Sequence, residues 1–187
     1  MDYKEIDTVI FKNDIWFFKR FMIFDELGRY IGMATMDVRD LRSFLYTFIG
    51  ALNIIVPIDY LVTDHQGSLI CRFRREGLRS AIINIYDQYD NHIGKVEFDE
   101  LKILLKFKGK VLTEENTYNI SSELLFEDVE AHGIMNLSSF NNSIEYHNIF
   151  RSMYNEVASF NQPINTESGK TAMALMTLIK YIRKINS

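Results

Sequence analysis

The sequence predicts a mainly β fold with one helical element: an antiparallel sheet or barrel built from similar hairpins around a buried hydrophobic C-terminal helix. Three observations lead there. A segment with aspartate and glycine at fixed spacing recurs along the first half of the chain. Aromatic residues reach 13% of the 187 residues while only 2 prolines occur. A run of apolar and threonine residues, Thr171 to Ile179, lies near the end. Aromatic and β-branched side chains suit a pleated, half-buried surface, and a paired strand has few places for a residue lacking its N–H. The length suits a single domain, taken as residues 1–187.

The recurring segments are FMIFDELGRYIGMA (21–34), YLVTDHQGSLICRF (60–73) and NIYDQYDNHIGKV (84–96). Asp25, Asp64 and Asp87 are each followed three places on by Gly28, Gly67 and Asp90. Ile31, Ile70 and Ile93 stand at the sixth place, Gly32, Cys71 and Gly94 at the seventh, and Ala34, Phe73 and Val96 at the ninth. An aspartate opening a type I turn accepts backbone N–H bonds, and the fourth turn residue takes the left-handed conformation that a following bulge needs. Asp90 adopts that conformation at some cost relative to glycine. The aspartates are therefore turn formers rather than catalytic carboxylates. A weaker fourth copy, IFRSMYNEVASF (149–160), keeps Val157, Ala158 and Phe160 but has Arg151 in the aspartate place.

Between the hairpins, Val38, Leu41, Leu45, Phe48, Ile49 and Leu52 lie on a helical stripe that Asp37 could cap, which favours a helix over 38–52. Phe44 to Val56 is equally rich in strand-forming residues, so a strand competes. In 101–111 the alternation sets Ile103, Leu105 and Phe107 against Lys106, Lys108 and Lys110. Thr117 to Phe126 reads as a further strand, and Asn136 to Asn148 as a surface loop or loop-strand-loop. The last element is a helix over about 168–185, with Thr166 and Ser168 as cap candidates. Its all-round apolar stretch is too short to span a bilayer and calls for burial. Lys180, Arg183 and Lys184 in its final turns complement the helix dipole.

The formal net charge of −4 argues against nucleic acid as a partner. It averages two basic islands, +3 over 72–79 and +4 over 101–110, with −11 in the remainder. Cys71 is the single cysteine, which excludes an intramolecular disulfide and a thiolate cluster. Beside Arg72 it reads either as a thiol of depressed pKa or as a small buried filler. The start MDYKEIDTVIF lacks the order of a signal peptide, and the 16-residue uncharged run from Ser43 to Ile58 is shorter than a span. A cytoplasmic protein, peripheral at a membrane at most, is expected. No P-loop, dinucleotide fingerprint, His-Glu-x-x-His or calcium loop occurs. TESGKT (166–171) has Ile164 where a P-loop needs glycine, and reads as a helix cap. His65, His92, His132 and His147 lack zinc-ligand spacing. With no nucleophile–base pair or metal cluster, the expectation is a protein without catalytic residues, cofactor or metal.

The hairpins FDELGRYIG (24–32), TDHQGSLIC (63–71) and YDQYDNHIGKV (86–96), with the helix Ala172–Ile182, resemble the tubby C-terminal-like superfamily. That group takes in tubby domains, the LURP-one-related proteins of plants and bacteria, and the phospholipid scramblases; the likeness is to its bacterial-type members. The resemblance spans about Phe11 to Ile185 and rests on hairpin grammar. It implies a closed antiparallel barrel of about twelve strands wrapped around the C-terminal helix. It also implies lipid-linked activity, since tubby domains bind phosphoinositides. The chain departs from scramblases in lacking a cysteine-rich acylation stretch and a spanning helix, and no tubby ligand residues match position by position.

The functional expectation rests on the basic islands. Arg72 and Arg74 share one strand face, and Lys106, Lys108 and Lys110 another, so together they can seat an anionic phospholipid headgroup or another phosphorylated ligand. The competing reading of those islands is a solvated outer face paired with acids such as Glu97 and Asp99. A second function is a protein-interaction module using aromatics near Trp16, Phe17 and Phe18.

Overall fold

The computed structural model describes residues 6, 8–13, 20–37, 57–75, 82–98, 107–114, 117–122, 129–131, 135–139 and 155–185. Within them the fold is mainly β, with a single helix packed on a large antiparallel sheet. The strands are β1 (Thr8–Asn13), β2 (Arg20–Asp25), β3 (Tyr30–Met36), β4 (Ile58–Asp64), β5 (Leu69–Arg75) and β6 (Ile82–Asp87). They continue as β7 (His92–Phe98), β8 (Phe107–Thr113), β9 (Thr117–Ser122), β10 (Val129–Ala131), β11 (Met135–Ser139) and β12 (Asn155–Phe160), followed by helix α1 (Glu167–Ile185). Each strand pairs antiparallel with its sequence neighbours, and β1 pairs with both β2 and β12. The expected helix over 38–52 and the residues Ile103 and Leu105 lie outside the described residues.

The three hairpins β2–β3, β4–β5 and β6–β7 are built alike. In each, the aspartate N–H donates to the carbonyl four residues on, at 3.0, 2.8 and 2.9 Å, and its carbonyl accepts from Gly28, Gly67 or Asp90. Each carboxylate Oδ1 accepts the N–H of the residue four places on, from Arg29, Ser68 and Asn91 at 2.7, 2.8 and 2.9 Å. Gly28, Gly67 and Asp90 take φ of 79°, 85° and 65°. A register shift falls one place before each aspartate, at Ile23/Phe24, Val62/Thr63 and Ile85/Tyr86. Turn and bulge together are what the spacing predicts. At the seventh place, Gly32 has a different reason to be small: a Cβ there would lie 2.0 Å from the Thr63 carbonyl oxygen of the neighbouring strand.

Antiparallel order sends these three turns to one end of the sheet, together with the start of β1 and the end of β12. Helix α1 enters from that end. Thr166 caps it, its Oγ1 accepting from the Gly169 N–H at 3.0 Å while the hydroxyl donates to the Pro163 carbonyl at 2.8 Å. Lys170 Nζ then donates to Gln88 Oε1 of the β6–β7 turn at 2.6 Å. Eleven residues on, about 16 Å along the axis, Tyr181 packs at 5.2 Å on Tyr60 near the other end of β4. The helix crosses the interior lengthwise.

Every residue from Thr171 to Tyr181 is buried, so no side of this stretch meets water. It touches β5, β6, β7 and β12. The inner faces supply the packing: Phe21 stacks on Tyr60 at 6.2 Å and Tyr60 on Phe73 at 5.1 Å, with Tyr181 tilted against the same ring. The small Ala34, Ala172 and Ala174 share this cluster with the rings. Such aromatic pairs contribute about 0.5–1.5 kcal/mol beyond their buried area. Lys180, in the later turns of α1, is itself buried, because the inner face of the sheet covers the helix as far as Tyr181. Of Asn136–Asn148, read as a surface loop or loop-strand-loop, the described part is strand: Met135–Ser139 pairs with both β10 and β12, and 140–148 lies outside the described residues. The strand's neighbours supply the backbone partners that its polar composition does not advertise.

Substitution at two glycines separates steric from conformational demand. Gly67→Ala meets open space at a positive φ and is expected to cost about 1 kcal/mol. Gly32→Ala drives a methyl into a backbone carbonyl that cannot step aside, and is expected to cost about 3 kcal/mol or more. Urea unfolding midpoints check the order; equal costs would contradict the close approach.

Candidate functional site

Alternation fixes what faces outward on β5 to β8. On β5, Cys71, Phe73 and Arg75 point to the interior with Tyr60 and Val62 of β4, leaving Arg72 and Arg74 on the outer face. On β6 and β7 the interior takes Ile83, Ile85 and Val96, while Asn84, Tyr86, Lys95 and Glu97 face out. On β8, Gly109 and Val111 are buried and Lys110 is exposed. Lys108, two places before Lys110 on the same strand, is in register with Ser121. Lys106 lies outside the described residues, as do Asp99 and Trp16, Phe17 and Phe18.

Register orders these residues across the surface. Arg74 is opposite Asn84, Asn84 opposite Lys95, and Lys95 opposite Leu112. Lys110 is opposite Glu97. Three strand spacings and two residues therefore separate Arg74 from Lys110, roughly 16 Å on an unrolled sheet. Lys95 lies between them, about 8 Å from Lys110 by the same spacings. It links the two basic islands, and no charge run in the sequence marks it, because it is an isolated lysine whose neighbours emerge only from the register.

The arginines are not equivalent to the lysines. Arg72 is 8% exposed and its guanidinium donates Nε to Asp59 Oδ1 at 2.6 Å and Nη2 to Asp59 Oδ2. A further Nη1 contact reaches Asp90 Oδ1 at 3.3 Å. The hydrogen bonds that it donates to Asp59 raise its pKa, burial opposes that, and the charges of Asp59, Asp90 and Asp37 reinforce it. Arg74 shares Asp59 through Nε at 3.2 Å and lies over the Tyr86 ring at 5.8 Å. The acid that pairs with the arginines is thus Asp59, thirteen residues from Arg72. Glu97 instead pairs with Lys95 at 2.6 Å. Among the described side chains four cations on this face, Arg72, Arg74, Lys95 and Lys110, meet three carboxylates, Asp59, Asp90 and Glu97, and leave a surplus of one positive charge.

On the other side of β5 the chemistry is closed. Cys71 is buried, and desolvation raises its thiol to about 12 although the charge of Lys170 pulls the other way. The side chain is a small filler and not an activated nucleophile. Arg75 is buried, and desolvation lowers its pKa against the opposing influence of Tyr181. Burial likewise raises the Tyr60 and Tyr181 phenols. Asp87 feels desolvation upward, but hydrogen bonds from the Asn91 side chain and the Asn91 and Tyr89 N–H groups together hold it below the usual range. That is the signature of a turn carboxylate. Among the described residues no group of three or more His, Cys, Asp or Glu could hold a metal ion, and no helix is long and apolar enough to cross a membrane.

No protein-family model matches the chain, and comparison with curated proteins and with solved structures finds no match either.

Burial makes a direct prediction for Cys71. At pH 8 the native protein should resist iodoacetamide and react only as fast as it unfolds, with urea restoring the rate of a free thiol. Rapid native-state alkylation would contradict the interior position.

Proposed function

We propose that the chain is a non-enzymatic, tubby-like barrel that binds anionic phospholipid headgroups, or another phosphorylated ligand, on the outer face of β5 to β8. The observation that carries this reading is the common outward direction of Arg74, Lys95 and Lys110, with Lys108 at the matching strand position. The reading treats the twelve strands as a wall closed around α1, supported by the pairing of β1 with both β2 and β12. Arg72, held by Asp59 and Asp90, shapes this face, while Arg74 and the lysines meet the ligand.

The spacing favours an extended anionic surface over a single phosphate, since one phosphate cannot bridge the roughly 16 Å from Arg74 to Lys110. Near an anionic membrane each basic residue contributes about 1 kcal/mol, so a small positive surplus gives weak attachment that salt removes. Peripheral, reversible association follows from that magnitude.

Vesicle flotation tests it. At low ionic strength the protein should float with anionic vesicles and not with neutral ones. Binding should disappear in about 1 M salt, where the screening length is about 3 Å. Lys108→Glu with Lys110→Glu should abolish flotation while leaving the circular dichroism spectrum unchanged. Competition by inorganic phosphate would point instead to a discrete phosphate site. Equal, negligible flotation with both vesicle types would sink the reading.

A further inference from the structure

The end of the sheet that carries the three tight turns displays side chains the fold does not use. Two places beyond each turn aspartate stand Leu27, Gln66 and Tyr89. Leu27 is 63% exposed and Tyr89 76% exposed, more than any other large apolar residue among those described. Turn tips favour Gly, Asn, Asp and Ser, which bond their own backbone, so local structure explains neither Leu27 nor Tyr89. Both tips are held rigidly. Asp25 binds the Arg29 N–H and Nε at 2.7 and 2.5 Å, and Asp87 Oδ1 accepts the Tyr89 N–H at 2.8 Å. A rigid apolar anchor loses little freedom on binding.

The surroundings of these anchors are acidic. Among the described residues Glu26, Asp90, Glu114 and Glu167 are exposed at this end, while Asp25 and Asp87 are buried within their turns. The cations alongside are Arg29, which pairs with Asp25, and Lys170. Four exposed carboxylates thus face two cations among the described residues, opposite in sign to the outer face of β5 to β8. Such a rim repels an anionic membrane and attracts a basic surface.

We infer that the tight-turn rim is a docking surface for a protein partner whose surface is basic around apolar pockets, with Leu27 and Tyr89 as the anchors. The two tips are four strand spacings apart, about 19 Å. A standard interface of about 800 Å² per partner is roughly 30 Å across, so one partner spans both. Aromatic anchors ringed by polar groups are where binding energy concentrates in such interfaces. The rim adjoins the anionic-ligand face at Asp90, but its anchors Leu27 and Tyr89 lie outside that face, so each reading is tested alone.

The test uses the full chain carrying a photoreactive phenylalanine analogue at position 27, 89 or 82. Ile82, also exposed, lies at the opposite end of β6 and controls for general stickiness. Irradiation in native lysate should join one and the same basic protein to positions 27 and 89 but not to 82. That protein, purified, should bind the full chain with a Kd raised about tenfold or more by Leu27→Asp or by Tyr89→Asp. Ile82→Asp should change the Kd less than twofold. Absence of adducts, equal adducts at 82, an acidic protein, lipid adducts, or a Kd indifferent to both rim substitutions would each overturn the proposal.

Discussion

The structure depends on one constraint: a helix apolar on every side must be kept from water on every side. From Thr171 to Tyr181, α1 has no polar stripe to turn toward water, and even its two threonines are buried. Covering one face, as an amphipathic helix permits, would leave half of this surface wet. A large antiparallel sheet whose first strand pairs with both the second and the last supplies the apolar inner face that covers it. Helix and wall are therefore a single cooperative unit. The inward Tyr60, Phe73 and Phe21 have no core without α1, and α1 has no solvent-tolerant surface without them.

The wall is assembled from repeated local decisions. Each of the three hairpins reverses on an aspartate that satisfies the turn N–H groups, then shifts register by a bulge. The bulge turns the second strand so that Ala34, Phe73 and Val96 face inward. Asp90 is the variation on the theme. It occupies a left-handed position that the other copies give to glycine, and its carboxylate reaches Arg72 on the adjacent hairpin. An interaction between hairpins offsets a local backbone cost of about 1 kcal/mol.

Turn chemistry and the apolar helix were legible because both are written within a few residues. Asp-x-x-Gly is complete in itself, and the run Thr171 to Ile179 needs no partner to be recognised as buried. What escaped depends on register between distant segments. Arg72 looked like an available cation until β4 brought Asp59 alongside it. Lys95 looked isolated until β6 and β7 aligned it between Arg74 and Lys110. Lys180 looked like a dipole-complementing terminal residue, and its burial follows only from how far the wall extends along the helix. Met135–Ser139 carries too few apolar residues to signal a strand and owes its conformation to the neighbours that flank it. The basic face was half legible: its residue types and strand alternation were readable, its internal neutralisation was not.

Mutual dependence of helix and wall is the central claim, and native-state hydrogen exchange tests it most directly. The amides of α1 from Thr171 to Tyr181 should exchange only through global unfolding, with the same opening free energy and denaturant dependence as those of Val62 and Phe73 in β4 and β5. Exchange of the α1 amides through a separate opening, at a free energy well below that of the strands, would show that the helix leaves while the wall stands, and would contradict the account.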